Sequence, residues 1–506
     1  GRWRGTRCTT TWTRACRSSS RRTRRCCATR CASSGGRRSR RGTPSRARSR
    51  LRVSGCTRRA EARSPPPAGE RHWPAVSGAI HPCSFAGTLT DNDIRDSFHH
   101  GVVVGQDAAP LLQANRVHNN RRTGVFVQDG GAPTLLENDI FRNTVGVEAV
   151  DDAAPVVRGN TLHRHKLGGV WVHKGGGGTY EGNEMRENGK AAVRVWDHGN
   201  PVLKGNSIWG GRTVGLLVYE FGKGHYVDNE IHSHRSWNIE VKRNAFPLIE
   251  RNKIHSSAYG GVYCHGGGGT HLESEEVRFT LKDNEIYANT GIGVSIGDDG
   301  SPLVEGNHIH TGHTAAVYVA GASARGVVAN NLLEGNKDGI VIREGGAPRV
   351  EGNTIRGQSR RGVFVTARGQ GAVLRNAISD SGLCNVEVRG EERRAAEPEA
   401  EASELNKKKA AYASLGMLVP LSTDGVVIAG ALTDESGATT VTLRLNAISG
   451  GGGPCSVLLT DHAKGFVKEN SIRGAAGDGL VIAHGADPDV VGNTVADCGG
   501  SGVRTR

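Results

Sequence analysis

One asparagine recurs along this 506-residue chain at a near-constant step, and no other feature restricts the fold as severely. Taking the Asn of "ENDIF", "GNSIW" and "GNHIH" as an origin, it falls at Asn92, Asn115, Asn138, Asn160, Asn183, Asn206, Asn229, Asn252, Asn284, Asn307, Asn330, Asn353, Asn376, Asn446, Asn470 and Asn493. Eleven of the fifteen steps are 23 residues, two more are 22 and 24, and steps of 32 and 70 mark insertions. A unit this short cannot bury an apolar face alone, so it must stack on its own copies.

The columns around that Asn give the shape of the unit. Aliphatic residues sit three before it (Leu112, Leu135, Val157, Leu203) and two after it (Val117, Ile140, Leu162, Ile208). Two more sit ten and twelve after it, as in Val125 and Val127 or Val170 and Val172, which is the period of a strand and not of a helix. Five before the Asn the chain turns on Pro or Gly (Pro133, Pro201, Gly178, Gly224), and nine after it a small residue returns (Gly124, Gly169, Gly215). Short strands joined by two tight corners describe one coil of a parallel β-helix. The fold expected is therefore all-β: a right-handed parallel β-helix solenoid with coils of about 23 residues, stacked at roughly 4.8 Å. An Asn amide at a buried corner can donate to and accept from the same amide one coil away, so the column reads as a structural ladder.

Charge divides the chain. Residues 1–70 contain 21 Arg, no Lys and two acids, a balance of 21 − 2 = +19; the other 44 Lys and Arg face 48 acids, giving −4. The basic character belongs to the N-terminal segment, so nucleic-acid binding is expected at most non-specifically through that tail. The domain reading is a disordered Arg/Ser/Cys-rich tail over 1–75, a β-helix over 80–390, a charged insertion over 391–414 and C-terminal coils over 415–506, with an Asn-less coil at "DGVVIAGALTDE". Arg-rich, acid-poor composition and a first residue Gly1 fit either an organelle transit peptide or a truncated start. Six of the eleven cysteines lie in the tail without paired CxxC spacing, which reads as free thiols in a reducing compartment. No apolar run approaches the length of a membrane span, and no membrane partner is expected.

The alternation of "FPLIERNKIHSSAYGGVYCHGGGG" with "TLKDNEIYANTGIGVSIGDDGSPLVEGNHIH" is of the pectin-lyase-like type and resembles the β-helix of F-box-only proteins, the substrate receptors of cullin-type ubiquitin ligases. The resemblance covers about residues 85–390 and, more loosely, 440–506. It implies a non-enzymatic scaffold that binds a protein substrate or ligase subunits, in the cytoplasm or nucleus. Residues 1–75 offer no helical periodicity for an F-box.

The outward column between the paired aliphatics carries Phe126, Glu148, Trp171, Arg194, Glu240, Tyr263, Tyr318 and Phe364, with Trp196 and Tyr219 just beyond. Exposed rings among charges have the composition of a recognition surface. β-helical lyases and hydrolases need paired carboxylates on neighbouring coils, and the nearest approach to that is Asp129 beside Asp151 and Asp152, and Asp197 beside Glu220. Acids at glycine-bounded turns are more simply solvated. Histidines three after the Asn (His118, His163, His232, His255, His310) share their column with Phe141, Trp209 and Tyr287, which reads as a packing shelf and not as a metal site. No cofactor and no metal are expected. The alternative to the protein-binding scaffold is a secreted or organellar carbohydrate-active or glycan-binding protein, in which the same rings would stack on sugars.

Overall fold

A single coil shows why the sequence winds as it does. Thr134–Leu136, Asp139–Phe141 and Val145–Ala149 are its three strands, turning inward Leu135, Ile140 and the pair Val147 and Ala149, none of which has measurable exposure. The computed structural model describes residues 75–77, 87–266, 279–390 and 439–506. Among them the first strands of successive coils form sheet A (16 strands), the second sheet B (17) and the third sheet C (16). Every pairing is parallel and in register from coil to coil, as Ile140 opposite Leu162 and Glu148 opposite Trp171. One hydrophobic cluster runs through the interior from Leu89 to Leu480. Burying each such side chain is worth about 1.5–3 kcal/mol, so stability accumulates coil by coil.

The asparagine column is the hydrogen-bonded ladder the sequence implies. Asn206 Oδ1 accepts from the backbone N–H and the amide of Asn183, both at 2.9 Å, while its own amide donates to Asn229 Oδ1 at 2.8 Å and to the Tyr180 carbonyl at 2.9 Å. Every polar atom of the side chain is thus used in a corner closed to water.

The residue before each ladder Asn lies in the left-handed region, as Glu137, Gly182, Asp228 and Asp283 do. This corrects one position: Asn331, not Asn330, carries the ladder, accepting from Asn307 at 2.9 Å and donating to Asn353 at 2.9 Å. Asn330, at φ 56°, fills the left-handed slot, which Asn tolerates better than most residues. The neighbouring doublets Val327–Val328 and Leu332–Leu333 keep the apolar columns filled in either phase.

A second correction concerns the Asn-less coil expected at 424–435. Asn376 bonds directly to Asn446, at 3.0 Å from its N–H and 3.1 Å from its amide, so no coil stands between theirs. The tail, the 391–414 insertion and residues 415–438 lie outside the described residues, except that Ala75–Ser77 is already a strand paired with Asp93–Arg95.

A second polar ladder, five residues after the first, was not anticipated. Asn120 N–H donates to Asn143 Oδ1 at 2.9 Å, Asn143 N–H to His165 Nδ1 at 3.2 Å, His165 N–H to Asn188 Oδ1 at 3.1 Å, and Gly211 N–H to His234 Nδ1 at 3.2 Å. His165 and His234 are buried, and burial lowers their pKa from 6.5 to about 3 and about 4, so both are neutral acceptors.

Candidate functional site

The outward face of sheet C carries a row of rings and charges from coil to coil. Its strands alternate, so Val125 and Val127 point into the core while Phe126 points out, and register then lines up Phe126, Glu148, Trp171, Arg194, Leu217, Glu240 and Tyr263 on seven consecutive coils. A second outward row two residues further along brings in His173, Trp196, Tyr219, Lys242 and His265. The rings of this face are not free, as the sequence suggested. Tyr219 is buried, and Phe126, Trp171, Trp196, Tyr263, Tyr318 and Phe364 are all half-buried. Trp196 stacks on His173 at 4.0 Å and on Tyr219 at 5.9 Å and meets Trp171 edge-on at 5.6 Å; Phe126 stacks on His100 at 4.5 Å.

Arg194 sits among three of these rings. Its guanidinium carbon is 5.3 Å from the Trp171 centroid, 4.5 Å from Trp196 and 4.9 Å from Tyr219, and it donates to the Tyr219 hydroxyl. No carboxylate among the described residues forms an ion pair with Arg194. The rings hold the cation in place without neutralising it.

Glu148 and Glu240 occupy equivalent places four coils apart. His173, one coil and two residues on, approaches Glu148 to 3.2 Å, and Thr123 donates to the other oxygen at 2.5 Å. Burial alone would raise the Glu148 pKa; the hydrogen bonds from His173 and Thr123 outweigh it and hold the carboxyl below its ordinary value. Glu240 repeats the arrangement with His265 at 3.0 Å and Lys242 at 2.6 Å, and its pKa is likewise lowered in spite of burial. Burial, with the Glu240 charge beside it, pushes the Tyr263 hydroxyl up to about 12. Around Glu148 the face opens into a cleft of about 460 Å³, lined by His100, Arg122, Phe126, Trp171, His173 and Lys174. Further along, Phe364 lies between Arg361 at 4.1 Å and Arg389 at 5.9 Å, and Arg361 and Arg389 both pair with Glu387.

The acidic candidates lie beyond the end of sheet C, in the turn that leaves it. Asp129, Asp151, Asp152, Asp197 and Glu220 all have φ between 46° and 59°, so this is a corner that favours Asp on conformational grounds. Neighbouring coils do bring them together, with Gly130 N–H bonded to the Asp151 carbonyl and Asp197 N–H to that of Glu220. Cations are interleaved in the same corner: Asp151 N–H donates to the Lys174 carbonyl at 3.1 Å, and Arg243 holds Glu220 at 2.9 Å. His100, Thr123, His173, Lys242 and His265 were not singled out from sequence. The signal that finds Thr123, His173 and His265 is a separation of 25, one period plus two, between a carboxylate and the residue that bonds it.

On sheet B the histidine column is a stack of rings: Trp209, His232, His255, Tyr287 and His310 follow one another at 6.2, 4.8, 4.6 and 5.2 Å.

Among known proteins, solved β-helices overlay this chain loosely. The A-module of the Azotobacter vinelandii mannuronan C-5 epimerase AlgE6 is 13% identical with a TM-score of 0.29, covering 79% of this chain and 91% of its own. The periplasmic alginate epimerase AlgG is 12% identical with a TM-score of 0.25, covering 81% and 84%. A hyper-glycosylated TibA fragment is 10% identical with a TM-score of 0.27, covering 85% and 99%. Overlays this loose transfer no activity. No curated protein matches the sequence. Of the likeness to F-box-only receptors, the type of coil is the part that the matching family model shows. That model, the right handed beta helix region, matches residues 78–230, 144–277 and 226–379, more than half of the chain, and the protein belongs to this family.

Proposed function

We propose that the outward face of sheet C binds an extended acidic polysaccharide. The observation that carries this reading is Arg194, a cation held among Trp171, Trp196 and Tyr219 without a carboxylate partner among the described residues. Aromatic faces match the C–H faces of sugar rings, and a guanidinium recognises a carboxylate through paired hydrogen bonds. Arg122 and Lys174 at the adjoining cleft add positive charge, whereas Glu148 and Glu240 are already engaged by His173 and His265. A row of equivalent positions on successive coils suits a polymer, because each coil offers the next sugar a fresh ring or charge.

The protein-binding reading has no comparable feature in its favour.

The test is affinity electrophoresis of the full chain through gels containing polygalacturonate or a neutral galactan. Polygalacturonate is expected to retard the protein, Trp196→Ala to abolish the retardation, and Arg194→Gln to weaken it about tenfold, the loss of roughly 1.4 kcal/mol of charge-assisted bonding. Unchanged mobility in the acidic gel, or equal retardation of the wild type and both variants, overturns the proposal.

A further inference from the structure

Sheet B carries a diagonal pairing that repeats around the ring stack. A histidine three residues after the ladder Asn reaches the acid on the coil before it: His118 to Asp93 at 2.7 Å, His163 to Asp139 at 3.0 Å, His255 to Glu230 at 3.2 Å, and His310 to Glu285 at 3.5 Å. The first three are ordinary ion-pair or hydrogen-bond distances, and packing with pairing explains them. The fourth differs in three ways.

First, its coil adds His308 two residues earlier on the same outward face, with the two imidazole centroids 4.2 Å apart. One donor atom each from Glu285, His308 and His310 then lies within 4.8 Å of the others, the sole such group of His, Cys, Asp or Glu among the described residues. Second, His310 Nε2 is buried without a hydrogen-bond partner, while its Nδ1 lies 2.6 Å from the Thr311 hydroxyl. With the Nδ1 proton given to Thr311 Oγ1, Nε2 keeps its lone pair and faces Glu285 across a gap too wide for a hydrogen bond. That gap suits an ion, because bonds of about 2.1 Å at tetrahedral angles place two donors about 3.4 Å apart. Third, Glu334 on the following coil bonds His308 Nε2 at 2.9 Å and is itself held by Arg356 at 2.7 Å. A carboxylate behind a histidine is the support that metal-bound imidazoles usually keep.

We infer that Glu285, His308 and His310 form a binding site for a divalent transition-metal ion of the zinc type, with Glu334 as the positioning carboxylate. Two neutral imidazoles and one carboxylate supply three ligands and leave a fourth position for water or an outside donor. Glu285 and His308 are part-exposed and open the site to solvent on their side, while His310 Nε2 closes it from within. The site is on sheet B and does not depend on the glycan reading of sheet C.

The test uses the full chain and metal alone. Zinc bound at equilibrium dialysis is compared for the wild type, His308→Ala, Glu334→Gln and His255→Ala, the last breaking the neighbouring His–Glu pair while leaving the three ligands intact. Cobalt(II) serves as the spectroscopic probe, since its four-coordinate visible bands report nitrogen and oxygen ligands, and a thiolate charge-transfer band would report the chain's cysteines instead. Expected results are one equivalent of zinc fewer in His308→Ala than in the wild type, an affinity 10–100-fold weaker in Glu334→Gln, and no change in His255→Ala. The visible cobalt bands should vanish with His308 while circular dichroism stays the same. Equal stoichiometry and affinity in the wild type and His308→Ala, or loss of the equivalent in His255→Ala, overturns the inference.

Discussion

The two polar ladders run side by side through the same coils and solve the same problem, yet one is nearly uniform and the other is a patchwork. In the first, each Asn side chain serves two donors and two acceptors at once, as Asn206 does. Few other side chains place an acceptor and a two-hydrogen donor on one short planar group, so the column tolerates little else. In the second, the same duty is met by Asn143, His165, Asn188, His234, Asn289, Asn336 and Gln358, and at Gly211 and Gly312 the coil contributes only its N–H. The lesson is that regularity in the sequence tracks how many bonds a side chain must make, not merely whether it is buried.

The sharpest way to break this comparison is to truncate the two ladders on neighbouring coils. Asn206→Ala strands the N–H and amide of Asn183 and the Tyr180 carbonyl in a dry corner and should cost about 3 kcal/mol or more, since each of the three groups is worth at least roughly 1 kcal/mol. Asn188→Ala removes a 3.1 Å bond from His165 and a 3.4 Å bond to the Leu162 carbonyl, and about 1–3 kcal/mol is expected. Asn331→Ala should behave as Asn206→Ala, whereas Asn330→Ala should cost only about 1 kcal/mol, the penalty of Ala in a left-handed slot. Because solenoids unfold locally, amide hydrogen exchange in the flanking coils is the appropriate measurement. Equal loss of protection in Asn206→Ala and Asn188→Ala would dissolve the distinction between the ladders.

Next in size is an effect of acid. His165 and His234 are neutral in the folded chain, with pKa lowered by burial to about 3 and about 4, while unfolded histidine titrates near 6.5. The unfolded chain therefore takes up protons first as pH falls. The stability these residues contribute is complete above about 6.5 and drains away down to the folded values. Replacing both by Asn should leave stability at neutral pH little changed and move the acid-unfolding midpoint to lower pH. A midpoint that stays put would mean these histidines are not what limits acid stability.

These contrasts also explain what could be read from sequence. The first ladder and its four aliphatic columns were legible because Asn and the paired valines are nearly obligatory at their places. Asn330 misled by one residue, since Val327–Val328 and Leu332–Leu333 satisfy the apolar columns in either phase; only the left-handed slot, filled by Gly352, Asp283 or Asn330 alike, resolves it. The second ladder stayed hidden because Asn, His, Ser and Gly form no recognisable column. On sheet C, alternation alone exposed the row from Phe126 to Tyr263. Partners such as His173 and Thr123 did not emerge, because their bonds to Glu148 run diagonally between coils and depend on register. The metal-site candidate was missed for a related reason: His310 was read within its column, while the residue that sets its coil apart, His308, lies in another.

The smallest expected effect comes from the corner that separates the two phases. Leu445 occupies the left-handed slot before Asn446 with φ 56°, where Gly159, Gly182 and Gly205 stand in other coils. Its side chain is 43% exposed, so it gains little from packing to offset the strain. A left-handed conformation costs an L-residue roughly 1–2 kcal/mol, and glycine returns part of that gain through its freer unfolded chain. Leu445→Gly should therefore stabilise the coil by about 0.5–1 kcal/mol, seen as slower exchange of the Asn446 and Asn470 amides. Faster exchange would show that Leu445 is held by packing and that backbone geometry does not decide which residue precedes the ladder.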